Sequence, residues 1–305
     1  LAGVEAAMNL MSSGAPIPAA QAARIGLIDK VVDGDLREGA LAWAQELLDS
    51  GTKPRRSTEQ PIADHYAGIF DEYRAMLARK ARGQIAPQYI VDCVEGATQL
   101  SVADGMQLER AKFKELMDGE QSAAMRHVFF AERAAAKVDD LPKDVDLRPV
   151  ESVGIIGGGT MGGGIAMNFA SRGIPVHMVD VDDAAIERGL AVVRGNYMRG
   201  VKKGRMTEAQ LESLMQLFVP TTDYEDLADV DLVIEAVFEN MTIKKEIFRR
   251  LDRVCKPGAI LASNTSYLDL DEIAKVTSRP RDVVGMHFFS PANIMRLLEV
   301  VRGAA

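Results

Sequence analysis

Apolar positions change their period along this chain, and the change divides it. Over residues 1–48 they recur at helical spacing in 1–11, 19–24 and 36–48, with Pro16-Ile17-Pro18 breaking the first two segments apart. Gly26-Leu27-Ile28-Asp29-Lys30-Val31-Val32 reads as a strand or an extended edge. Residues 51–54 open a second region, 49–146, with helical periodicity over 64–79, 87–99, 102–118 and 120–138 and no strand pattern. Residues 139–148 are charged and hold Pro142, with Pro149 directly after, which fits a domain boundary. In the third region, 147–305, short apolar runs at 153–156, 175–179, 217–219, 232–237, 259–262, 283–287 and 296–301 alternate with helical segments at 160–172, 182–199, 207–216, 243–254 and 270–276. That alternation predicts an α/β fold with a doubly wound parallel sheet, preceded by an all-helical linker.

The 305 residues leave room for about two domains, and 47% hydrophobic with 26% charged residues supports real cores. A formal net charge of −8 argues against a nucleic-acid partner. Cys93 and Cys255 have no metal-ligand spacing; they suit a reducing compartment and read as small packing residues. No metal site is expected. No apolar run reaches the roughly 20 residues that span a bilayer. Leu1 enters mid-pattern, so the start is read as a cut.

The first chemical signal lies in Val153-Gly154-Ile155-Ile156-Gly157-Gly158-Gly159-Thr160-Met161-Gly162, a strand that runs into G-x-G-x-x-G and then a helix. Gly157 permits the tight turn, Gly159 lets a pyrophosphate approach the backbone, and Gly162 lets helix and strand pack closely. The free amides at the helix start point at the anion. Asp180 ends the next apolar run, 180 − 157 = 23 positions after Gly157, near the roughly 20 expected for an acid that binds a ribose hydroxyl. No arginine follows it directly, which favours NAD over its 2′-phosphorylated form. The alternative for Asp180 is a cap on the following helix.

Further polar residues fall at the carboxyl ends of predicted strands, where open sheets of this kind bind ligands. Ser263-Asn264-Thr265-Ser266 follow one run, His287 closes another, Glu299 lies within the last, and Glu235, Glu239 and Lys244 follow a fourth. A histidine can accept a hydroxyl proton near neutral pH as a hydride leaves carbon, and a carboxylate on its second ring nitrogen would fix the tautomer. His287 and Glu299 could form that pair, with Ser266 bonding the same hydroxyl. Taken alone, His287 between Met286 and Phe288 favours a packed core histidine, and Glu299 fits a structural ion pair equally well. Residues 263–266 read equally as a helix cap. Glu239 and Lys244 favour a solvated helix face, as do Lys202, Lys203 and Arg205. His65, His127 and His177 read as structural.

Taken together, Asn264-Thr265-Ser266, then Gly285-Met286-His287-Phe288-Phe289-Ser290-Pro291, then Met295-Arg296-Leu297-Leu298-Glu299-Val300 resemble the 3-hydroxyacyl-CoA dehydrogenase family, with spacings 287 − 266 = 21 and 299 − 287 = 12. Ser13-Gly14-Ala15-Pro16-Ile17-Pro18-Ala19-Ala20-Gln21-Ala22 and Gly26-Leu27-Ile28-Asp29 resemble the end of an enoyl-CoA hydratase (crotonase) domain. Both in one chain resemble the multifunctional enzymes of fatty-acid β-oxidation. The resemblance implies a crotonase-like tail over 1–48, a helical linker over 49–146 and a Rossmann-type NAD-binding dehydrogenase domain over 147–305. It implies oxidation of (S)-3-hydroxyacyl-CoA to 3-oxoacyl-CoA, with His287 as base, Glu299 as its partner and Ser266 on substrate and cofactor. Gly157, Gly159, Met161 and Gly162 would line the pyrophosphate and Asp180 the adenosine ribose; Val237, Glu239, Lys244 and Ser290 would form the nicotinamide side. Ser290 stands where many relatives carry Asn. The family's carboxyl-terminal helical domain and the hydratase's two catalytic glutamates are expected outside this stretch, so little or no turnover is expected of the 305 residues alone. The resemblance leaves a thiolase subunit and a homo-oligomer open as partners. It places the protein in a bacterial cytoplasm, with the peroxisomal type as the alternative. Two other readings compete: a dehydrogenase of a small free 3-hydroxy acid, and a module that binds the dinucleotide without catalysis.

Overall fold

A computed structural model describes residues 1–62, 66–138, 140–142 and 144–304. Contacts group the chain into two units, Leu1–Pro142 and Lys143–Ala305. In the first unit the helices are α1 (Val4–Ser13), α2 (Ala19–Arg24), α3 (Leu36–Asp49), α4 (Ile69–Lys80), α5 (Ala86–Gln99), α6 (Val102–Asp118) and α7 (Glu120–Ala135). Its core is small: Val4 and Met8 of α1 pack on Ile69, Phe70 and Leu77 of α4 and on Val91 and Val94 of α5. Arg74 on α4 and Lys112 on α6 both pair with Asp92 on α5, at 2.9 and 2.8 Å, and tie the three helices together at their half-buried edges.

Two expectations for this unit need correction. Residues 26–32 are turn, bend and irregular backbone, not a strand. Their β-branched pair, Val31-Val32, has no strand to bond with among the described residues of this unit, and backbone groups without a ladder partner gain nothing from extension. The helix expected over 64–79 begins at Ile69, because Gly68 takes a left-handed φ of 92° that no helix accommodates. Residues 63–65, including His65, lie outside the described residues. His127 is exposed on α7.

The second unit holds β1 (Val153–Ile156), α8 (Thr160–Ala170), β2 (Val176–Val179), α9 (Asp183–Lys202), α10 (Glu208–Met215), β3 (Phe218–Thr221), β4 (Leu232–Glu235), α11 (Met241–Val254), β5 (Ile260–Ser263), α12 (Leu270–Ala274), β6 (Val283–Phe288) and β7 (Leu298–Arg302). The sheet order is β3-β2-β1-β4-β5-β6-β7, the doubly wound Rossmann arrangement with one strand added. Strands β1 to β6 are parallel, whereas β7 is antiparallel to β6. The link between β6 and β7 is too short for a crossover helix, so the chain must return antiparallel.

Successive side chains on a strand face opposite sides, and here both sides are covered. Ile155 and Ile234 join Ile165 and Ala166 of α8 and Val193 of α9 in one core. Ile156 and Val233 join Phe248 and Leu251 of α11 and Ile273 of α12 in the other. Helix starts are fixed locally. Asp182 accepts from the Ala185 amide at 2.7 Å, Asn240 from Ile243 at 3.2 Å and Asp269 from Asp271 at 2.9 Å, while Thr207 and Gln210 form a capping box. Among the described residues no helix is long and apolar enough to cross a membrane, and no cluster of three His, Cys, Asp or Glu side chains could hold a metal.

Candidate active site

The carboxyl ends of β1, β2, β4, β5 and β6 open on one edge of the sheet, and the candidate residues follow these ends. At β1 the chain turns at Gly157, whose φ of 96° is left-handed; a Cβ there would stand 2.9 Å from the Ala236 carbonyl oxygen. At Gly162 a Cβ would lie 1.7 Å from the Gly157 carbonyl oxygen, so α8 touches the turn backbone to backbone. At Gly159 nothing lies within 4 Å of the same position. Gly159 also begins α8 without any side-chain cap, which leaves the first-turn amides of α8, including that of half-buried Met161, without a side-chain acceptor. An open approach to uncapped amides is what a pyrophosphate needs, so the residues present fit a dinucleotide.

Asp180 is half-buried just after β2. Its Oδ2 accepts the Gly158 amide at 2.7 Å and its Oδ1 accepts the Val181 amide at 2.7 Å. Asp182, not Asp180, caps α9, which removes the capping alternative. Sequence reasoning missed Gly189 on α9, where a Cβ would stand 2.5 Å from the Gly158 carbonyl oxygen. An isolated glycine inside a helical pattern was the available signal.

Across the sheet, Glu235 ends β4 and is completely buried. It accepts Lys244 Nζ at 2.8 and 2.9 Å, Ser263 Oγ at 2.7 Å and the Val237 amide at 2.8 Å. The last bond turns the chain at half-buried Val237 and explains why β4 stops at Glu235 although the apolar run continues. Lys244 on α11 is 1% exposed, which corrects the solvated-face reading. Its Nζ also lies 3.2 Å from Oε2 of Glu239. Oε1 of Glu239 accepts Thr265 Oγ1 at 2.6 Å and the Ser266 amide at 2.8 Å. Burial acts to raise the Glu239 pKa, but the bonds from Thr265, the Ser266 amide and Lys244 outweigh it and hold the carboxyl below its ordinary value. Ser266 is exposed on the loop after β5, and Asp269, not residues 263–266, caps α12.

At the far side, His287 on β6 stands directly opposite Glu299 on β7. Nδ1 of His287 lies 2.7 Å from Oε2 of Glu299. An ionised carboxylate only accepts, so Nδ1 carries the proton and Nε2 is left as the acceptor of the neutral ring. Phe289 lies against the ring, 4.6 Å between centroids, and Asn264 Oδ1 accepts the Phe288 amide at 2.8 Å, joining the end of β6 to the loop after β5. Glu299 is 52% exposed, so no large desolvation cost attaches to it. Ser290 is exposed just beyond β6. The structure thus places the candidates along one sheet edge, at or just after strand ends except for Met161 and Gly162 in α8 and Lys244 in α11. It leaves His177 inside β2, and Lys202, Lys203 and Arg205 at the far end of α9.

Residues 152–305 match the family model described as 3-hydroxyacyl-CoA dehydrogenase, NAD binding domain. The peroxisomal bifunctional enzyme of Cavia porcellus is 41% identical over 99% of this chain and 42% of its own length. The fatty acid oxidation complex subunit alpha of Shewanella halifaxensis is 35% identical over 99% of this chain and 43% of its own length. The chain therefore spans less than half the length of these curated relatives. The solved (S)-3-hydroxybutyryl-CoA dehydrogenase of Ralstonia eutropha is 42% identical with a TM-score of 0.50, covering 51% of this chain and 55% of that one. The chain belongs to the 3-hydroxyacyl-CoA dehydrogenase family and carries its NAD-binding domain.

Proposed function

We propose that this chain is the dehydrogenase portion of a multifunctional β-oxidation enzyme that oxidises (S)-3-hydroxyacyl-CoA to 3-oxoacyl-CoA. The observation that carries the reading is the 2.7 Å contact between His287 and Glu299 at the end of β6. It gives the domain a base with a fixed tautomer, which a module that only binds a dinucleotide does not need.

The division of labour follows from the chain's own groups. Gly157, Gly159, Met161 and Gly162 receive the pyrophosphate, and Asp180 receives the adenosine ribose. Val237, Glu239, Lys244 and Ser290 belong to the nicotinamide side. When bound, NAD supplies the acceptor for the hydride that leaves C3 of the substrate. Nε2 of His287 takes the proton of the 3-hydroxyl, and Glu299 stabilises the charge that the ring then holds. Ser266 Oγ orients the same hydroxyl. A positioned base of this kind contributes about 10²–10⁴-fold in rate, and the hold on the reacting carbons contributes the rest.

Residues 1–48 carry the hydratase-like tail and 49–146 the linker, with 147–305 as the dehydrogenase unit. The relatives' names, a bifunctional enzyme and the subunit alpha of a fatty acid oxidation complex, fit a second activity, a further subunit and an acyl-CoA substrate; hydration as that activity, a thiolase as that subunit and a homo-oligomer belong to the proposal. The free thiols Cys93 and Cys255 fit a reducing compartment, with a bacterial cytoplasm as the reading and the peroxisomal type as the alternative. The test is reduction of NAD⁺ by the intact gene product. (S)-3-Hydroxybutyryl-CoA is expected to support it and free 3-hydroxybutyrate is not. Turnover of the free acid alone would overturn the reading in favour of a small-acid dehydrogenase.

A further inference from the structure

The His287–Glu299 pair overhangs the parallel part of the sheet. Strand β6 pairs with β5 only from Val283 to Gly285, opposite Leu261 to Ser263. His287 and Phe288 lie beyond that ladder and pair with β7, opposite Glu299 and Leu298. Strand β7 is the last in the sheet order. A two-stranded ribbon by itself is marginally stable in water, so its tip gains from support outside the ladder. On the β5 side one bond supplies it, from the Phe288 amide to Asn264 Oδ1 at 2.8 Å.

The second support is α8. Residues 289–297 join β6 to β7, and the Ile294 and Met295 amides both donate to the Pro291 carbonyl at 2.9 Å, which closes a turn. Ala292, in this turn, is 2% exposed and belongs to the same core as Ile165 and Ala166 of α8. It lies flat on Gly164. A Cβ there would stand 3.1 Å from the Ala292 Cβ and 3.3 Å from the Ala292 and Asn293 amide nitrogens. One helical turn further on, Asn168 Nδ2 donates to the Ala292 carbonyl at 3.0 Å. Positions four apart share a helix face, so Gly164 gives the turn its seat and Asn168 its latch. The same helix begins after Gly159, where the function proposed above puts the pyrophosphate. At 1.5 Å per residue the seat lies about 8 Å and the latch about 14 Å along the axis from that glycine. One rigid element thus spaces the cofactor end from the histidine tip.

We propose that Gly164 and Asn168 are positioning residues for the dehydrogenation: they seat the 291–295 turn on α8 and so hold Nε2 of His287 at a working distance from the dinucleotide anchored at the amino end of that helix. This rests on the function proposed above. Neither residue acts on the substrate; both act through the turn.

The test is kinetic, on the intact gene product with (S)-3-hydroxybutyryl-CoA and NAD⁺. Asn168→Ala removes the latch and is expected to lower kcat about tenfold. The NAD⁺ dissociation constant is expected to stay within about threefold, because the glycine turn and Asp180 are untouched. Gly164→Ala lifts the turn off its seat and is expected to lower kcat in the same way. Gly164→Ala/Ala292→Gly removes the atom that the new methyl meets most closely and is expected to restore most of that loss. Damage to α8 itself would not be repaired from across the contact, so the rescue separates positioning from general loosening. Should Gly164→Ala fail to fold, Asn168→Ala, at an exposed position, still carries the test. Asn168→Gln, which keeps the amide donor, is then expected to retain more activity than Asn168→Ala. With an active wild type, full kcat in Asn168→Ala, no rescue by the paired change, or NAD⁺ affinity falling in step with kcat would overturn this inference alone. A wild type that does not reduce NAD⁺ with the acyl-CoA overturns the proposed function and this inference with it.

Discussion

The carboxylate of Asp180 accepts the backbone amide of Gly158 at 2.7 Å, which binds the end of β2 to the glycine turn after β1. With its other oxygen on the Val181 amide, the group is aimed before any ligand arrives. A carboxylate so placed attracts ribose hydroxyls and repels a 2′-phosphate. Asp180→Ala is therefore expected to weaken NAD⁺ about tenfold and to bring the NADP⁺ and NAD⁺ dissociation constants closer together. Parallel titrations of the two dinucleotides measure both effects; tighter binding of NADP⁺ by the wild type would contradict the assignment.

The glycines of the turn separate into two kinds, and alanine distinguishes them. At Gly162 an added methyl collides with the Gly157 carbonyl, so Gly162→Ala should lower the melting temperature of the chain, by overpacking worth about 1–3 kcal/mol or more. At Gly159 the protein leaves the space empty, so Gly159→Ala should melt as the wild type does and still lose NAD⁺ affinity, by about tenfold or more. Equal melting curves for the two variants would show that the close approach has no consequence.

His287 and Glu299 differ in what they contribute. His287→Ala removes the proton acceptor and should cut kcat of the intact gene product by about 10²–10⁴-fold. Glu299→Gln keeps a hydrogen-bond acceptor for Nδ1 but removes the charge, so its loss should be smaller. Neither residue touches the glycine turn, and NAD⁺ dissociation constants should be unchanged in both. Stopped-flow or steady-state kinetics alongside titration reads the two quantities separately. Undiminished turnover by His287→Ala would remove the histidine from the mechanism.

The dinucleotide half of this domain was legible because its signals are local. Strands buried on both faces read as unbroken apolar runs such as Val153–Ile156, and the glycine turn needs specific residues at fixed offsets. The buried Glu235–Lys244 pair was not legible in the same way. Lys244 sits in a helix rich in charge, Lys244-Lys245-Glu246, where Glu246 is exposed and Lys245 pairs with Glu272, and the partner that buries Lys244 comes from β4. Glu235 did carry a signal: an acid closing the apolar run Leu232-Val233-Ile234 has to be compensated once the strand is covered. Its cation comes from the next helix, α11, and its hydroxyl donor, Ser263, from the neighbouring strand β5. Residues 26–32 failed for the opposite reason, since their local pattern was strand-like and, among the described residues of that unit, no neighbouring strand completes it.

Cys255 offers a test of the second core that needs no ligand. It closes α11 at 5% exposure, and burial pushes its thiol pKa from about 9 up to about 11. The folded state therefore holds this proton more tightly than the unfolded chain does. Below about pH 9 both states are protonated and the contribution is fully present; as pH rises through about 11 it is lost, because unfolding releases the proton. Stability measured by urea unfolding should fall across that interval, and Cys255→Ala should flatten the fall. Because the thiolate is the reactive form, Cys255 should also resist a thiol reagent at pH 8 in the native protein and react once the chain is unfolded. Rapid native labelling of Cys255 would show that α11 does not close over it.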